Sequence, residues 1–196
     1  MPLAHLDHSH IRFAADLHAR ALADSLLPSL GVPFLESFYR HALRAGPVAG
    51  FVWSESGNPI GLVLGSTDSA LLIRHVLRSG AGELAWKAAP AVLRRPRVFG
   101  DMLETLRYPD LEKVDDVRAE LMVIAVEPSH HQRGIGRGLS QALHAEFVRQ
   151  GVTRHKVTVH RSNVPANTFY ARLGYQQVGE FRLHRRDWNL YTFGPS

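Results

Sequence analysis

AELMVIAVEPSHHQRGIGRGL, residues 119–139, joins a run of apolar residues to a loop that is rich in glycine and in basic side chains. The apolar half of this stretch predicts a buried β-strand. The residues that follow the loop, GLSQALHAEFVRQG, place Leu139, Leu143 and Phe147 on one helical face, and Gly151 is typical of a helix C-terminus. The stretch is therefore interpreted as a strand, a glycine-rich loop and a helix in direct succession.

The glycine-rich loop is a candidate anion-binding site. Several backbone N–H groups are unpaired at a helix N-terminus, and the helix dipole adds partial positive charge there. Arg133 and Arg137 add full charges, which suits a pyrophosphate better than a single carboxylate. The loop lacks the Gly-Lys-Ser/Thr ending of a P-loop, and the dinucleotide-binding fingerprint would need a glycine at Leu139. A turn whose glycines serve only chain reversal is the alternative interpretation.

The segments on both sides of this unit predict a mixed α/β fold. Apolar spacing predicts helices from Ile11 to about Leu27 and from Val32 to Leu43, and VAGFVW with PIGLVLGS predicts a hairpin. Residues from about 66 to 117 predict short helices broken by Gly and Pro, an excursion between strands. Downstream, HKVTVHR predicts a strand, NVPANTFYARLGY a short helix with Asn163 as N-cap, and QQVGEFRL with WNLYTFG two more strands.

Composition restricts the class of protein. The 196 residues are 45% hydrophobic, which fits one domain, and they include no cysteine, which excludes disulfides, thiolate metal sites and a cysteine nucleophile. No signal peptide or membrane-spanning run is found, so we expect a cytoplasmic protein. A net charge of +5 suggests an anionic partner. No nucleic-acid-binding motif is present, so we expect that this partner is not a nucleic acid. His5, His8 and His10 are interpreted as a flexible solvated terminus, and no metal site is expected.

The two most informative segments, AELMVIAVEPSHHQRGIGRGL and NVPANTFYARLGY, resemble the central motif and the downstream helix of the GNAT superfamily of acyl-CoA-dependent N-acyltransferases. The resemblance covers about residues 118–193. It implies the GNAT fold, a mixed central sheet with flanking helices, as one domain over residues 1–196. It also implies a helical insertion at about 66–117, before the central coenzyme-binding strand. The implied activity is transfer of an acetyl group from acetyl-CoA, the co-substrate, to a primary amine by direct attack.

The resemblance also implies which residues hold acetyl-CoA. Backbone groups of Ile124 and Val126 would face the pantetheine arm, and Asn163 would contact the same arm. The family loop is written as Arg or Gln, two residues, Gly, one residue, then Gly or Ala. The preferred register puts its glycines at Gly134 and Gly136.

In that register, His131 stands where the family has Arg or Gln. A register shifted by two residues, with Arg133, Gly136 and Gly138, fits the formula literally but begins late relative to Pro128. The backbone amides of the loop would hold the pyrophosphate. The loop residues implied are His131, Gln132, Arg133, Gly134, Ile135, Gly136, Arg137 and Gly138.

Two residues are implied to be catalytic. Tyr170 matches the tyrosine that often protonates the departing thiolate, and the alternative is a packing residue beside the core positions of its helix. We expect its ring at the edge of the core. Glu120 resembles the glutamate that removes the amine proton through a water in the histone-acetylating branch. His160, on the neighbouring strand, is a second candidate base.

The acceptor is less well defined by the sequence. The segments from which GNAT folds build the acceptor site are apolar and rich in arginine here, which favours a small amine that carries a carboxylate, a phosphate or a nucleotide-sugar group. A protein amine and a non-catalytic acyl-CoA-binding sensor are the alternatives. The oligomeric state is left open, with a homodimer among the alternatives.

Overall fold

The computed structural model describes residues 2–105 and 117–195, and it contains a seven-stranded sheet. The strands are β1 (Leu3–His5), β2 (Val48–Glu55), β3 (Asn58–Ser66), β4 (Glu120–Val126), β5 (His155–His160), β6 (Gln176–Leu183) and β7 (Arg186–Phe193). Their order in the sheet is β1-β2-β3-β4-β5-β7-β6. β4 and β5 are parallel, and the other neighbouring strands are antiparallel. The mixed sheet and the predicted hairpin are confirmed.

Seven α-helices are described, and they cover both faces of the sheet. They are α1 (Ile11–Ala21), α2 (Leu26–Ser29), α3 (Val32–Ala42), α4 (Ser69–Arg94), α5 (Arg97–Thr105), α6 (Ile135–Arg149) and α7 (Val164–Arg172). One core contains Leu17, Leu35 and Leu72 from α1, α3 and α4, and the core on the other face contains Leu139 and Phe147 from α6. Within the described ranges, no helix is both long enough and apolar enough to cross a bilayer.

The N-terminus is more ordered than the sequence suggested. Leu3–His5 forms an edge strand against β2, with Leu3 opposite Trp53, so the prediction of a flexible terminus is wrong. The Asp7 carboxylate then caps a 3-10 turn over His8–His10 by accepting the Ser9 N–H at 2.8 Å. A three-residue strand is too short to show a hydrophobic periodicity, and its pairing partner β2 lies far away in the sequence. The sequence pattern therefore did not predict it.

The helical excursion differs from its prediction, since residues 69–94 form one helix and not several short ones. Its buried side repeats every fourth residue, at Leu72, Val76, Gly80, Leu84 and Ala88. Gly80 does not break the helix but lets α3 approach, since a Cβ at this position would lie 2.6 Å from Cδ2 of His41. Pro90 is tolerated within the last turns. Residues 106–116, the end of the predicted excursion, lie outside the described part of the chain.

Two buried histidines are held neutral in the two cores. His18 lies within hydrogen-bond distance of the Tyr39 hydroxyl, at 3.1 Å, and His155 Nε2 lies 2.8 Å from the Tyr175 hydroxyl. Burial lowers the pKa of each imidazole to about 4, and His144 contributes to the shift at His155. Both side chains therefore fold in the uncharged form.

These histidines predict a loss of stability in mild acid. A histidine whose folded pKa is depressed stabilises the protein fully above its unfolded pKa of about 6.5, and this contribution is lost as the pH falls towards 4. Each histidine contributes up to about 3 kcal/mol. We expect the free energy of unfolding, measured by urea titration, to fall between pH 6.5 and 4. His155→Phe should reduce that pH dependence, and a parent protein with constant stability over this range would contradict the prediction.

Candidate active site

β4 and β5 pair at one position and then separate. Glu120 is opposite Lys156, whose N–H donates to the carbonyl of Ala119 at 2.9 Å, and no further pairing of the two strands is found in the described residues. On its other edge, β4 stays paired with β3 as far as Val126, opposite Gly61. A gap therefore opens between β4 and β5 towards their C-terminal ends.

The backbone of β4 alternates between this gap and β3. The N–H of Glu127 donates to the carbonyl of Ile60 on β3 at 2.8 Å, and successive residues of a strand direct their backbone groups to opposite edges. Ile124 and Val126 therefore present their N–H and C=O groups to the gap. The Val126 carbonyl accepts a hydrogen bond from Nε2–H of His131 at 2.9 Å, which leaves the Val126 N–H and both groups of Ile124 available.

The loop before α6 exposes a row of unpaired amides. Gln132 and Gly134 have φ angles of 60° and 80°, and Gly134 is the N-cap of α6. The N–H groups of residues 132–137 have no acceptor among the residues that the structure describes. Gly138 differs from the prediction, because its N–H donates to the Gly134 carbonyl at 3.0 Å. It is needed instead for packing, since a Cβ at Gly138 would lie 2.6 Å from the Trp53 ring.

The side chains of the loop fasten it to its surroundings. Arg133 forms two hydrogen bonds with the Glu55 carboxylate, at 3.1 and 2.5 Å, and Arg133 is the main reason that the pKa of Glu55 is lowered. This contact neutralises one of the two arginines that were expected to face an anion, and Arg137 remains exposed. The Ile135 side chain is buried in the core beside α6, so only its backbone faces outward. At Gly136, a Cβ would lie 3.3 Å from the Phe169 ring of α7.

Two asparagines organise the start of α7. The side-chain oxygen of Asn163 accepts the N–H of Ala166 at 3.1 Å, which confirms the predicted cap. Asn167 was not singled out from the sequence, yet its Nδ2 donates to the His160 carbonyl at 3.0 Å and its Oδ1 accepts the Tyr191 hydroxyl at 2.9 Å. Asn167 thus ties α7 to the ends of β5 and β7, and the exposed Asn163 keeps its own Nδ2 for other contacts.

Tyr170 is the buried residue of α7, not a residue at the edge of the core as expected. Its ring centroid lies 5.1 Å from those of Phe169 and Tyr175 and 6.4 Å from that of Tyr191. Among the described residues its hydroxyl has no hydrogen-bond partner, and burial raises its pKa. The ring is therefore fixed by aromatic packing, while its hydroxyl forms no hydrogen bond with a described residue.

The two candidate bases lie on the face of the sheet opposite α6. Glu120 is 4% exposed and lies opposite Lys156, which is 5% exposed, in the register of β4 and β5. His160, at the end of β5, has Nδ1 2.6 Å from Ser162 Oγ, and its Nε2 is buried without a partner in the described residues. Burial and then the charge of Arg186 lower the pKa of His160.

A cavity of about 550 Å³ lies on the same side of the sheet as His160. Residues from three segments line it: 23–29 in the α1–α2 connection and α2, 95–101 between α4 and the first half of α5, and 184–188 in the β6–β7 turn and the first residues of β7. Trp188 is part of its wall, and its ring meets the ring of His160 edge to face at 5.3 Å. We call this cavity the arginine pocket, because Arg95, Arg97, Arg185 and Arg186 all line it.

The β6–β7 connection is fixed to α5. His184 and Arg185 have φ angles of 52° and 60°, a conformation that non-glycine residues adopt at a cost. His184 donates from Nε2 to the Asp101 carbonyl at 2.8 Å, and its N–H donates to the Glu104 carboxylate at 3.1 Å. Arg185 pairs with the Asp101 carboxylate at 3.3 Å. These contacts hold one wall of the arginine pocket.

The arrangement of these elements agrees with a comparison against family models, in which the acetyltransferase (GNAT) family matches residues 19–175. The chain belongs to the GNAT acetyltransferase family. The solved structures described next share this GNAT fold and are 13–18% identical to the chain, so they show its fold and not its substrate. A comparison with curated protein sequences gives no match.

Three structures illustrate the shared fold. The ribosomal-protein-S18-alanine N-acetyltransferase of Escherichia coli is 18% identical with a TM-score of 0.61, over 98% of this chain and 92% of that one. An N-acetyltransferase from Staphylococcus aureus Mu50 is 15% identical with a TM-score of 0.62, over 97% and 99%. The acetyltransferase yncA of Salmonella typhimurium, solved with its cofactor acetyl-CoA, is 13% identical with a TM-score of 0.61, over 98% and 92%.

Some features of this GNAT site had no recognisable signal in the sequence. The hydrogen bonds of His131 to Val126 and of Arg133 to Glu55 form only because the folded chain brings these residues together. The same is true of the bidentate contact between Arg20 of α1 and Glu127, at 2.9 and 2.6 Å, which fastens α1 to the end of β4. The Asn-x-x-Ala-Asn spacing of the α7 segment could have indicated Asn167, because a residue four positions after an N-cap lies one turn above it.

Proposed function

We propose that the protein is an N-acetyltransferase that transfers an acetyl group from acetyl-CoA to the primary amine of a small molecule by direct attack. One observation carries the proposal: the row of unpaired amides at residues 132–137 lies where β4, having separated from β5, ends. The row of amides suits a pyrophosphate, and the backbone groups of β4 in the gap suit an extended arm that contains amides. Coenzyme A joins these two parts in one molecule.

In this proposal the coenzyme binds along the loop and the gap. The amides of residues 132–137 bind the pyrophosphate. The exposed Arg137 supplies positive charge beside it, because Arg133 is paired with Glu55. Ile124 and the N–H of Val126 pair with the amides of the pantetheine arm as an added strand edge would. Nδ2 of Asn163 is available for the same arm.

The reaction needs one proton donor and one base. The amine nitrogen forms a bond to the thioester carbon, the carbon–sulfur bond breaks, and the thiolate takes the proton of the Tyr170 hydroxyl. Burial disfavours the tyrosinate, but the same water-poor site disfavours the thiolate, so the two anions stay comparable in basicity. Because no described residue accepts a hydrogen bond from this hydroxyl, its proton is available for the sulfur.

The base in this proposal is His160, and Glu120 is the alternative. With Nδ1–H donating to Ser162, the His160 Nε2 carries a lone pair, and the lowered pKa keeps it uncharged near neutral pH. The ring also borders the wall of the arginine pocket through Trp188. Glu120 is buried beside Lys156 in the β4–β5 register, so a change of its charge also affects the stability of the fold.

The first functional prediction concerns the loop. Gly134→Ala should weaken the binding of CoA by tenfold or more, since φ = 80° is strained for alanine and the amide row depends on that conformation. Gly151→Ala is the matched control, because Gly151 has φ = 81° and, like Gly134, no atom within 4 Å of its Cβ position. Both variants should lose similar stability, and calorimetry should detect weaker CoA binding only for Gly134→Ala. Equal CoA affinities would refute the loop assignment.

The second concerns the proton donor. Tyr170→Phe should reduce kcat by about 10²-fold and leave the stability nearly unchanged, because the lost hydroxyl has no partner in the described structure. The control is Tyr175→Phe, which loses contacts of its hydroxyl to His155 at 2.8 Å and to Ser140 at 3.4 Å. This control should lose about 1 kcal/mol of stability and keep its turnover. The opposite pattern in the two variants would return Tyr170 to a packing role.

The third concerns the base. A neutral His160 predicts that kcat/KM falls on the acid side of pH 6.5 with the titration of one group, separate from the limb set by the amine itself. His160→Gln should remove that acid limb and lower kcat/KM by about 10²-fold. Glu120→Gln should retain the limb and mainly lose stability. If the limb persists in His160→Gln and disappears in Glu120→Gln, the base is Glu120.

Two alternatives are tested by the same reagents. The Escherichia coli neighbour is named for a protein alanine as acceptor, and the volume of the arginine pocket, within the range of small-molecule sites, favours a small acceptor for this chain. Peptide and metabolite panels analysed by mass spectrometry separate the two classes. A sensor that binds acyl-CoA without catalysis would bind CoA normally and acetylate neither panel.

A further inference from the structure

The arginine pocket carries more positive charge than its own carboxylates neutralise. Arg185 is paired with Asp101, whereas Arg95, Arg97 and Arg186 form no ion pair with any residue of the described ranges. These three arginines come from the end of α4, the start of α5 and the start of β7. Like charges gathered from separate elements into one cavity repel each other unless an anion binds between them.

The pocket also contains one acidic group near the candidate base. Asp24, from the connection between α1 and α2, lines the cavity, and its charge acts on His160 together with that of Arg186. Carboxylates bind ammonium groups, and guanidinium groups bind phosphates and carboxylates through two parallel hydrogen bonds. The pocket therefore offers a group of each sign to a single molecule.

We propose that the arginine pocket binds a primary amine that also carries a phosphate or carboxylate group, with the anion held by Arg95, Arg97 and Arg186. This inference rests on the proposed function for the assignment of that molecule as the acetyl acceptor. The amine end lies towards Asp24 and His160, where the proton must be removed. A neutral amine of the same length lacks the group that the three arginines recognise.

The experiment uses three amines that share a two-carbon chain: ethanolamine, which ends in a hydroxyl, β-alanine, which ends in a carboxylate, and O-phosphoethanolamine, which ends in a phosphate. Binding is measured by calorimetry on the full chain saturated with CoA, and acetylation is measured separately. We expect at least one anionic amine to bind tenfold or more tightly than ethanolamine. The anionic amine that binds more tightly shows whether the pocket prefers a carboxylate or a phosphate.

Neighbouring arginines provide a matched pair of variants. Arg95 lines the pocket and Arg94, also exposed and at the end of the same helix, does not. Arg95→Gln should weaken the binding of the anionic amine about tenfold and raise its KM equally, with the CoA affinity unchanged. Arg94→Gln should change none of these quantities.

The outcomes separate this inference from the proposed function. If ethanolamine binds and reacts as well as both anionic amines, or if Arg94→Gln and Arg95→Gln behave alike, the inference is wrong and the acetyltransferase proposal stands. If an anionic amine binds in an Arg95-dependent way but no amine is acetylated, the anion site stands and its assignment as an acceptor site fails.

Discussion

The separation of β4 from β5 beyond Glu120 and Lys156 is the constraint on which the rest of the site depends. A continuous parallel ladder would use the backbone groups of Ile124 and Val126 within the sheet, and no gap would exist between the strands. The separation leaves the β4 edge at Ile124 and Val126 without a strand partner among the described residues, and such an edge is stable only when other groups satisfy it. An extended ligand with amide groups meets this requirement. The two parts of the sheet are each built from antiparallel pairs and are joined at the Glu120–Lys156 position.

The loop at the end of β4 is fixed before any ligand binds. His131 ties it to Val126, Arg133 ties it to the β2–β3 hairpin through Glu55, and Gly136 brings it against Phe169 of α7. These contacts reach three different elements, so the amide row has one orientation. Preorganisation of this kind would reduce the entropy lost on binding of the proposed anion, and the side chains of His131 and Arg133 are used in these contacts.

The chain contains twelve histidines, and the surroundings of a histidine side chain decide its chemical role. His155 is neutral in a core and stabilises the fold only while it stays uncharged. His131 and His184 act as hydrogen-bond donors that hold backbone carbonyls. His160 has a hydroxyl partner on Nδ1 and a buried Nε2 with no partner among the described residues, and this is why we propose it as the base.

The order of the main elements and the glycine-containing loop between β4 and α6 could be predicted from local sequence patterns. Hydrophobic periodicity and the Gly and Asn caps are local properties, so the strand, loop and helix around Gly134 and the cap at Asn163 were predicted correctly. The α4 helix was not, because Gly80 reads as a break in a sequence and becomes a packing contact only when His41 lies against it. Tyr170 was placed at the edge of the core, since the sequence does not show that rings from α7, β7 and the α7–β6 connection converge on it. The arginine pocket likewise exists only in the tertiary structure, because its walls come from segments separated by up to about 160 residues and only folding brings them together.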